Sequence, residues 1–178
     1  MPLAQDDGAR IPGQQSPFLA FVRFHGIECE SSDAGHKGCA EGLSFNWGVH
    51  QPSDASAGDH ERADFSDFTV TKVVDAGSAA LYSYCAGGTE IAQVNVEVCT
   101  WIGHWSPILL LTLFNAMISG IDLLGTVEAS GAPRPIERVS VRYSKVAWEV
   151  CIIGHGGKRG PTRRGGWDLE ENESWIQG

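Results

Sequence analysis

FSDFTVTKVVDAGSAALYSYCAGGTEIAQVNVEV, residues 65–98, runs from strand to helix to strand, and its reading decides the fold. Phe65 to Val74 is rich in Thr, Val and Phe, side chains that suit a pleated, half-buried surface. A helix follows at once: Ser78 can cap its N-terminus, Ala79 to Ala86 includes good helix formers, and Gly87 or Gly88 can take the left-handed conformation that ends it. At about two to three turns, such a helix holds only when it packs on something. Ala92, Val94, Val96 and Val98 then alternate with Gln93, Asn95 and Glu97, the period of a strand with one covered face.

Upstream, Phe18 to His25 is apolar in both phases, as in a strand covered on both faces. The polar connection GIECESSDAGHKGCAEG, residues 26–42, reads as surface turns. Leu43 to His50 alternates again, with Leu43, Phe45, Trp47 and Val49 against Ser44, Asn46, Gly48 and His50. Residues 51–62, QPSDASAGDHER, lack apolar periodicity and read as a long exposed loop or arm, a length that in compact domains is functional or disordered.

Downstream, Ile108 to Phe114 is apolar in both phases and reads as strand, short strand and loop, though periodicity leaves a helix over Ile108 to Met117 open. From Ile136 to Cys151 the apolar phase changes between Tyr143 and Val146, which a β-bulge or a strand crossing between two sheets would produce. Short strands with turns between them and one brief helix indicate an all-β sandwich or closed barrel. The fold class is mainly β, a two-sheet β-barrel with one short flanking helix.

A length of 178 residues suits one domain, with residues 1–16 as a flexible extension and 17–178 as the barrel. The net charge of −9 argues against nucleic acid and anionic membranes, and the cationic group Lys158, Arg159, Arg163 and Arg164 reads as a solvated loop. The first residues lack the basic start and apolar middle of a secretory signal, so synthesis and folding in the cytoplasm are expected. No stretch is apolar enough for a membrane helix, and no membrane insertion is expected.

Five cysteines without C-x-x-C spacing point to buried thiols rather than disulfides or a zinc ribbon. Cys29, His36 and Cys39, with His25 as a fourth ligand, match no recurring zinc spacing, so no metal and no cofactor are expected. Gly154 to Gly160 lacks the Ser or Thr and the helix of a phosphate-binding loop and reads as a turn. No nucleophile signature occurs, and an enzyme would need His36, His50 or His104 beside a carboxylate and a nucleophile. No catalytic residue is assigned. Trp47 and Trp148 read as core.

Four segments resemble the haemolysin-coregulated (Hcp) tube subunits of bacterial type VI secretion, over about residues 17–175. The matching positions are Gly26, Glu30, Ser31, His36, Leu43, Ser44, Trp47 and Gly48 in the first, and Phe68, Thr71, Lys72, Asp75, Leu81, Cys85, Ala86 and Gly88 in the second. The third is RPIERVSVRYSKVAWEV, residues 134–150, and the fourth contributes Gly166, Trp167, Asp168 and Trp175. Cys29 stands where the family usually has Gly, Tyr143 where it commonly has Phe, and the segment CTWIGHWSPILLLTLFNAM is more apolar than usual.

The resemblance implies a homo-hexamer whose rings stack into a tube inside a contractile sheath, expelled with a spike protein at its tip and carrying effector proteins in its lumen. It implies export without a cleaved signal peptide. In that frame Gln51, Pro52, Ser53, Asp54, Asp59, His60, Glu61 and Arg62 are expected to form an arm at the subunit interface, and Ser44 and Asn46 to face the lumen. The alternative is a monomeric β-sandwich that binds a ligand through residues 51–62.

Overall fold

The computed structural model describes residues 18–52, 62–102, 104–125, 134–154 and 156–175. The arm residues Ser53, Asp54, Asp59, His60 and Glu61 and the N-terminal extension lie outside them. The strands are β1 (Phe18–Phe24), β2 (Ala40–Asn46), β3 (Val49–His50), β4 (Asp64–Phe65), β5 (Phe68–Val73), β6 (Glu90–Trp101), β7 (Trp105–Leu124), β8 (Ile136–Arg142), β9 (Lys145–Ile153), β10 (Arg159–Asp168) and β11 (Glu173–Ser174). Helix α1 (Ser78–Gly87) joins β5 to β6 and packs on β7.

The sheet closes on itself through β7–β6–β1–β2–β5–β8 and back to β7, every pair antiparallel. Closure removes the free edges that an open sheet would expose. Beyond the barrel, β9, β10 and β11 extend the sheet from the first half of β7, which pairs Leu109 to Phe114 with Val150 to Lys145. The second half of β7 pairs with β8 instead. One strand therefore serves both the barrel and its extension.

This differs from the strand, short strand and loop expected after Ile108. The strand runs unbroken for 20 residues but changes its inward face on the way: Leu111 and Leu113 are buried, then Ala116 and Ile118. Asn115, with φ at 49°, marks the change of face, where the β6–β7 register itself does not slip, and a register shift against β8 lies between Ile118 and Gly120. Those two irregularities scramble the period of two, which is why periodicity could not separate strand from helix. A related shift in β6 buries Ile91 and exposes Ala92, reversing the expected face at that end.

The phase change between Tyr143 and Val146 is a corner between two separate strands rather than a bulge within one. β8 ends at Arg142 and β9 starts at Lys145, and Ser144 N donates to Phe114 O at the corner. Arg159, Arg163 and Arg164, expected in a loop, lie on β10, where Arg164 Nε meets Glu149 Oε1 at 3.1 Å. The glycines before them form the β9–β10 turn, with Gly156 and Gly157 at positive φ.

Helix α1 has Gly88 in the left-handed conformation after its last turn, as expected. Its start differs: Gly77 holds the cap position without a side-chain hydrogen bond, and the Ser78 hydroxyl is drawn inward instead. Ser78 Oγ donates to Glu137 Oε1 at 2.7 Å, and Lys72 Nζ lies 2.8 Å from the same oxygen and 2.9 Å from Asp75 Oδ1. Tyr82 OH donates to Glu137 Oε2 at 2.6 Å, so both carboxylate oxygens are used. Lys72 and Glu137 are 1% and 0% exposed, making this a buried ionic knot that ties α1 to the barrel wall.

The main core is formed by Val22, Phe24, Phe68, Val70, Val94, Val96, Leu113, Val139 and Val141 from the barrel strands, with Leu81 of α1. Trp47 and Trp148 join its edge, 6.2 Å apart, and Trp47 Nε1 donates to Tyr143 OH at 2.6 Å. They pack against the core half-buried, with a polar partner for the indole of Trp47. All five cysteines are free thiols, four of them buried.

Candidate functional site

Three surfaces stand out: the polar outer wall over β2, β5 and β8, the uncovered face of the sheet extension, and a titratable cluster beneath the β1–β2 connection. Cross-strand neighbours share a face, so pairing register defines each surface.

Ser44 pairs with Thr71, and Thr71 with Arg138; Asn46 pairs with Thr69, and Thr69 with Ser140. Ser44, Asn46 and Arg138 are exposed. The two expected lumen residues thus belong to a continuous polar wall. Leu43, expected inward with Phe45, sits instead at the register shift between Gly42 and Ser44. Ala40 and Gly42 occupy the inner phase before the shift and Phe45 after it.

The ends of the arm are zipped together by β3 and β4, through Val49–Phe65 and His50–Asp64. Arg62 Nη2 donates to Glu170 O at 2.6 Å, which brings one arm residue onto the turn before β11. Gln51 and Pro52 lead out of β3.

On the extension, Val146, Trp148, Val150 and Ile152 share one phase of β9. Val146 is fully buried and Trp148 half-buried, but Val150 and Ile152 are 44% and 50% exposed. The inward face of β9 thus emerges uncovered as it leaves the barrel. Trp101, 58% exposed, stands on the neighbouring β6–β7 turn, where Ile102 lies against the Gly157 turn.

The third surface lies where Phe21 and Arg23 of β1 face Glu97 and Asn95 of β6. The connection from β1 to β2 folds over it rather than running free, with Ile27, Cys29 and Cys39 buried. His36 stacks flat on Phe21, with centroids 3.7 Å apart and planes 4° apart. Its Nδ1 lies 2.7 Å from Asp33 Oδ1 and its Nε2 3.0 Å from Glu97 Oε2. A cavity of about 250 Å³ opens beside it, lined among others by Arg23, Gly35, Cys39 and Thr112.

Both ring nitrogens meet carboxylate oxygens, so both donate and the ring is an imidazolium. The Cys99 sulfur, Glu97 and Asp33 together raise its pKa from 6.5 to about 10, against the opposing effect of burial. The same contact holds Glu97 below the usual carboxylate range, and hydrogen bonds from His36 and Gly35 N lower Asp33 despite its burial. With no free lone pair on the ring, His36 does not serve as a general base.

The sign of the pH dependence follows. A raised histidine pKa contributes stability that is complete below 6.5 and lost as pH rises through about 10. The lowered carboxylates contribute stability above their ordinary values of 3.8 and 4.5 that is lost as pH falls through the depressed ones. The connection is therefore held most firmly between 4.5 and 6.5. In an NMR titration of the chelator-treated, metal-free protein the His36 ring should keep its protonated shifts at about pH 8; a midpoint at 6.5 would contradict this geometry.

The group Cys29, His36, Cys39 and His25, set aside on its spacing, does not converge. His25 Nε2 pairs with Asn95 Oδ1 at 3.0 Å, and the Cys29 sulfur abuts Gly77 at the start of α1, where burial and then Asp75 push its thiol up to about 12. Among the described residues His36 instead gathers with Glu97 and Cys99. Sequence reasoning passed over both. Cys99 falls in the same phase as Asn95 and Glu97, opposite the valines, which was the available signal.

Comparison with known proteins adds a family. The model described as "Type VI secretion system effector, Hcp" matches residues 21–150. A solved type six secretion system protein is 26% identical with a TM-score of 0.80, covering 89% of this chain and 99% of its own. Hcp1 from Salmonella typhimurium is 26% identical with a TM-score of 0.73 over 90% and 100%. A type VI secretion system effector from Yersinia pestis is 26% identical with a TM-score of 0.67 over 84% and 98%. No curated protein matches the chain by sequence.

Proposed function

The chain belongs to the Hcp family of the type VI secretion system, and from that premise we propose that it forms hexameric rings that stack into the expelled inner tube. Membership agrees with the expectation of a structural, non-catalytic protein. In this reading the tube lies within a contractile sheath, meets a spike protein at its tip, carries effector proteins in its lumen and leaves the cell without a cleaved signal peptide.

The observation that carries the reading is the uncovered face of β9. Val150 and Ile152 continue a phase that is buried earlier in the same strand, so a neighbouring subunit would cover what the single chain leaves open. A head-to-tail contact of that kind closes into a ring when its rotation does, leaving no subunit with an open face. The wall of Ser44, Thr71, Arg138, Asn46, Thr69 and Ser140 is hydrophilic enough to line a water-filled lumen, and the Gln51–Arg62 arm has the length to reach a neighbour.

Negative-stain microscopy of the purified protein should show six-fold rings, with light scattering giving the mass of a hexamer. Val150→Asp with Ile152→Asp should leave a folded monomer, because two buried carboxylates per contact cost more than the contact returns. A wild-type protein that stays monomeric at high concentration would favour the ligand-binding alternative, and rings that survive the double substitution would remove β9 from the interface.

A further inference from the structure

We propose that His36, Glu97 and Cys99 bind a zinc-class divalent cation that pins the β1–β2 connection to the outer wall of the barrel. The three side chains offer an imidazole nitrogen, a carboxylate oxygen and a thiol sulfur, all within 4.8 Å of one another. Ligands at about 2.0–2.3 Å from a tetrahedral ion lie roughly 3.3–3.7 Å apart, so the group needs to tighten by about an ångström. The His36–Glu97 pair, now hydrogen-bonded at 3.0 Å, needs to open by only a few tenths of an ångström to admit the ion.

The surroundings fit a metal ligand set. Asp33 holds the second ring nitrogen of His36, the carboxylate–histidine arrangement that fixes the orientation of a metal-bound imidazole. The Phe21 stack sets the ring plane. The adjoining cavity gives an approach route and room for a water in the fourth position. A mixed nitrogen, oxygen and sulfur set selects zinc or cobalt over magnesium or calcium, which avoid thiolates.

Binding places a dication in the cluster and releases two protons, one from His36 Nε2 and one from the Cys99 thiol. The local net charge is therefore unchanged, and Arg23, which lines the same cavity, meets no added positive charge. The ion would link the connection to β6 across 61 residues of sequence.

The test uses the full chain without a purification tag, stripped with a chelator and titrated with Co²⁺ alone at about pH 8. The expected result is a sulfur-to-cobalt charge-transfer band with the visible bands of a tetrahedral ion, saturating at one equivalent and displaced by Zn²⁺. Cys99→Ser should abolish the charge-transfer band, while Cys39→Ser and Cys151→Ser should keep it. Because Cys99 is fully buried, Glu97→Gln on the partly exposed neighbour gives a second arm, expected to weaken Co²⁺ binding by at least about tenfold. A missing band at one equivalent, a band that survives Cys99→Ser, or unchanged affinity in Glu97→Gln overturns the proposal. Ring formation is read separately, so failure of this site leaves the assembly reading untouched.

Discussion

Lys72→Ala is expected to destabilise the protein by about 3–5 kcal/mol, because it strands a fully buried carboxylate. Glu137 is 0% exposed, and its charge is balanced by Lys72 at 2.8 Å; Asp75, 7% exposed, uses the same ammonium. For a domain of this size the loss lowers Tm by roughly 10 °C. Ser78 and Tyr82 would still donate to Glu137, but hydroxyl donors do not neutralise a charge. Lys72→Met with Glu137→Leu should recover part of the loss, because a matched apolar pair replaces both ions and only Asp75 stays unbalanced. Thermal unfolding of the single and double variants decides the matter. A Lys72→Ala protein within about 1 kcal/mol of the parent would show that the knot is solvated in solution.

Leu81→Ala is expected to cost about 2–5 kcal/mol, the range for deleting a buried leucine side chain. Within α1 only Ser78 and Leu81 are buried, so Leu81 is the helix's main apolar anchor. Ala80, Tyr84 and Cys85 pack beside it only in part. A ten-residue helix has little stability of its own. Amide exchange across 78–87 should therefore accelerate more than exchange in β6, and uniform acceleration throughout the barrel would mean that helix and barrel open as one unit.

Most of the barrel was legible in the residues because its strands keep a simple period. β1 emerged within one residue, the alternating valines of β6 within two or three at its ends, and α1 within one at each end. What escaped was bent or distant. β7 changes its inward face at Asn115, so its apolar residues fill both phases and mimic a helix. Ser78 looked like a cap because only local sequence was visible, whereas its hydroxyl serves Glu137, 59 positions away. His36 was singled out, yet its partners come from a strand 61 positions on. Lys72 gave a clue in its phase: a charge aligned with Phe68 and Val70 on the inner face implies a buried counter-charge.

Strand β7 also has a mechanical consequence. Its first half carries the extension and its second half closes the barrel, with no break in the chain between them. A load applied along β9 would enter the barrel through a six-residue ladder, Leu109 to Phe114, whose hydrogen bonds would share it side by side in shear rather than open one after another. The strand passes from one task to the other at Asn115, so that residue marks the limit of the stretch over which such a load is shared.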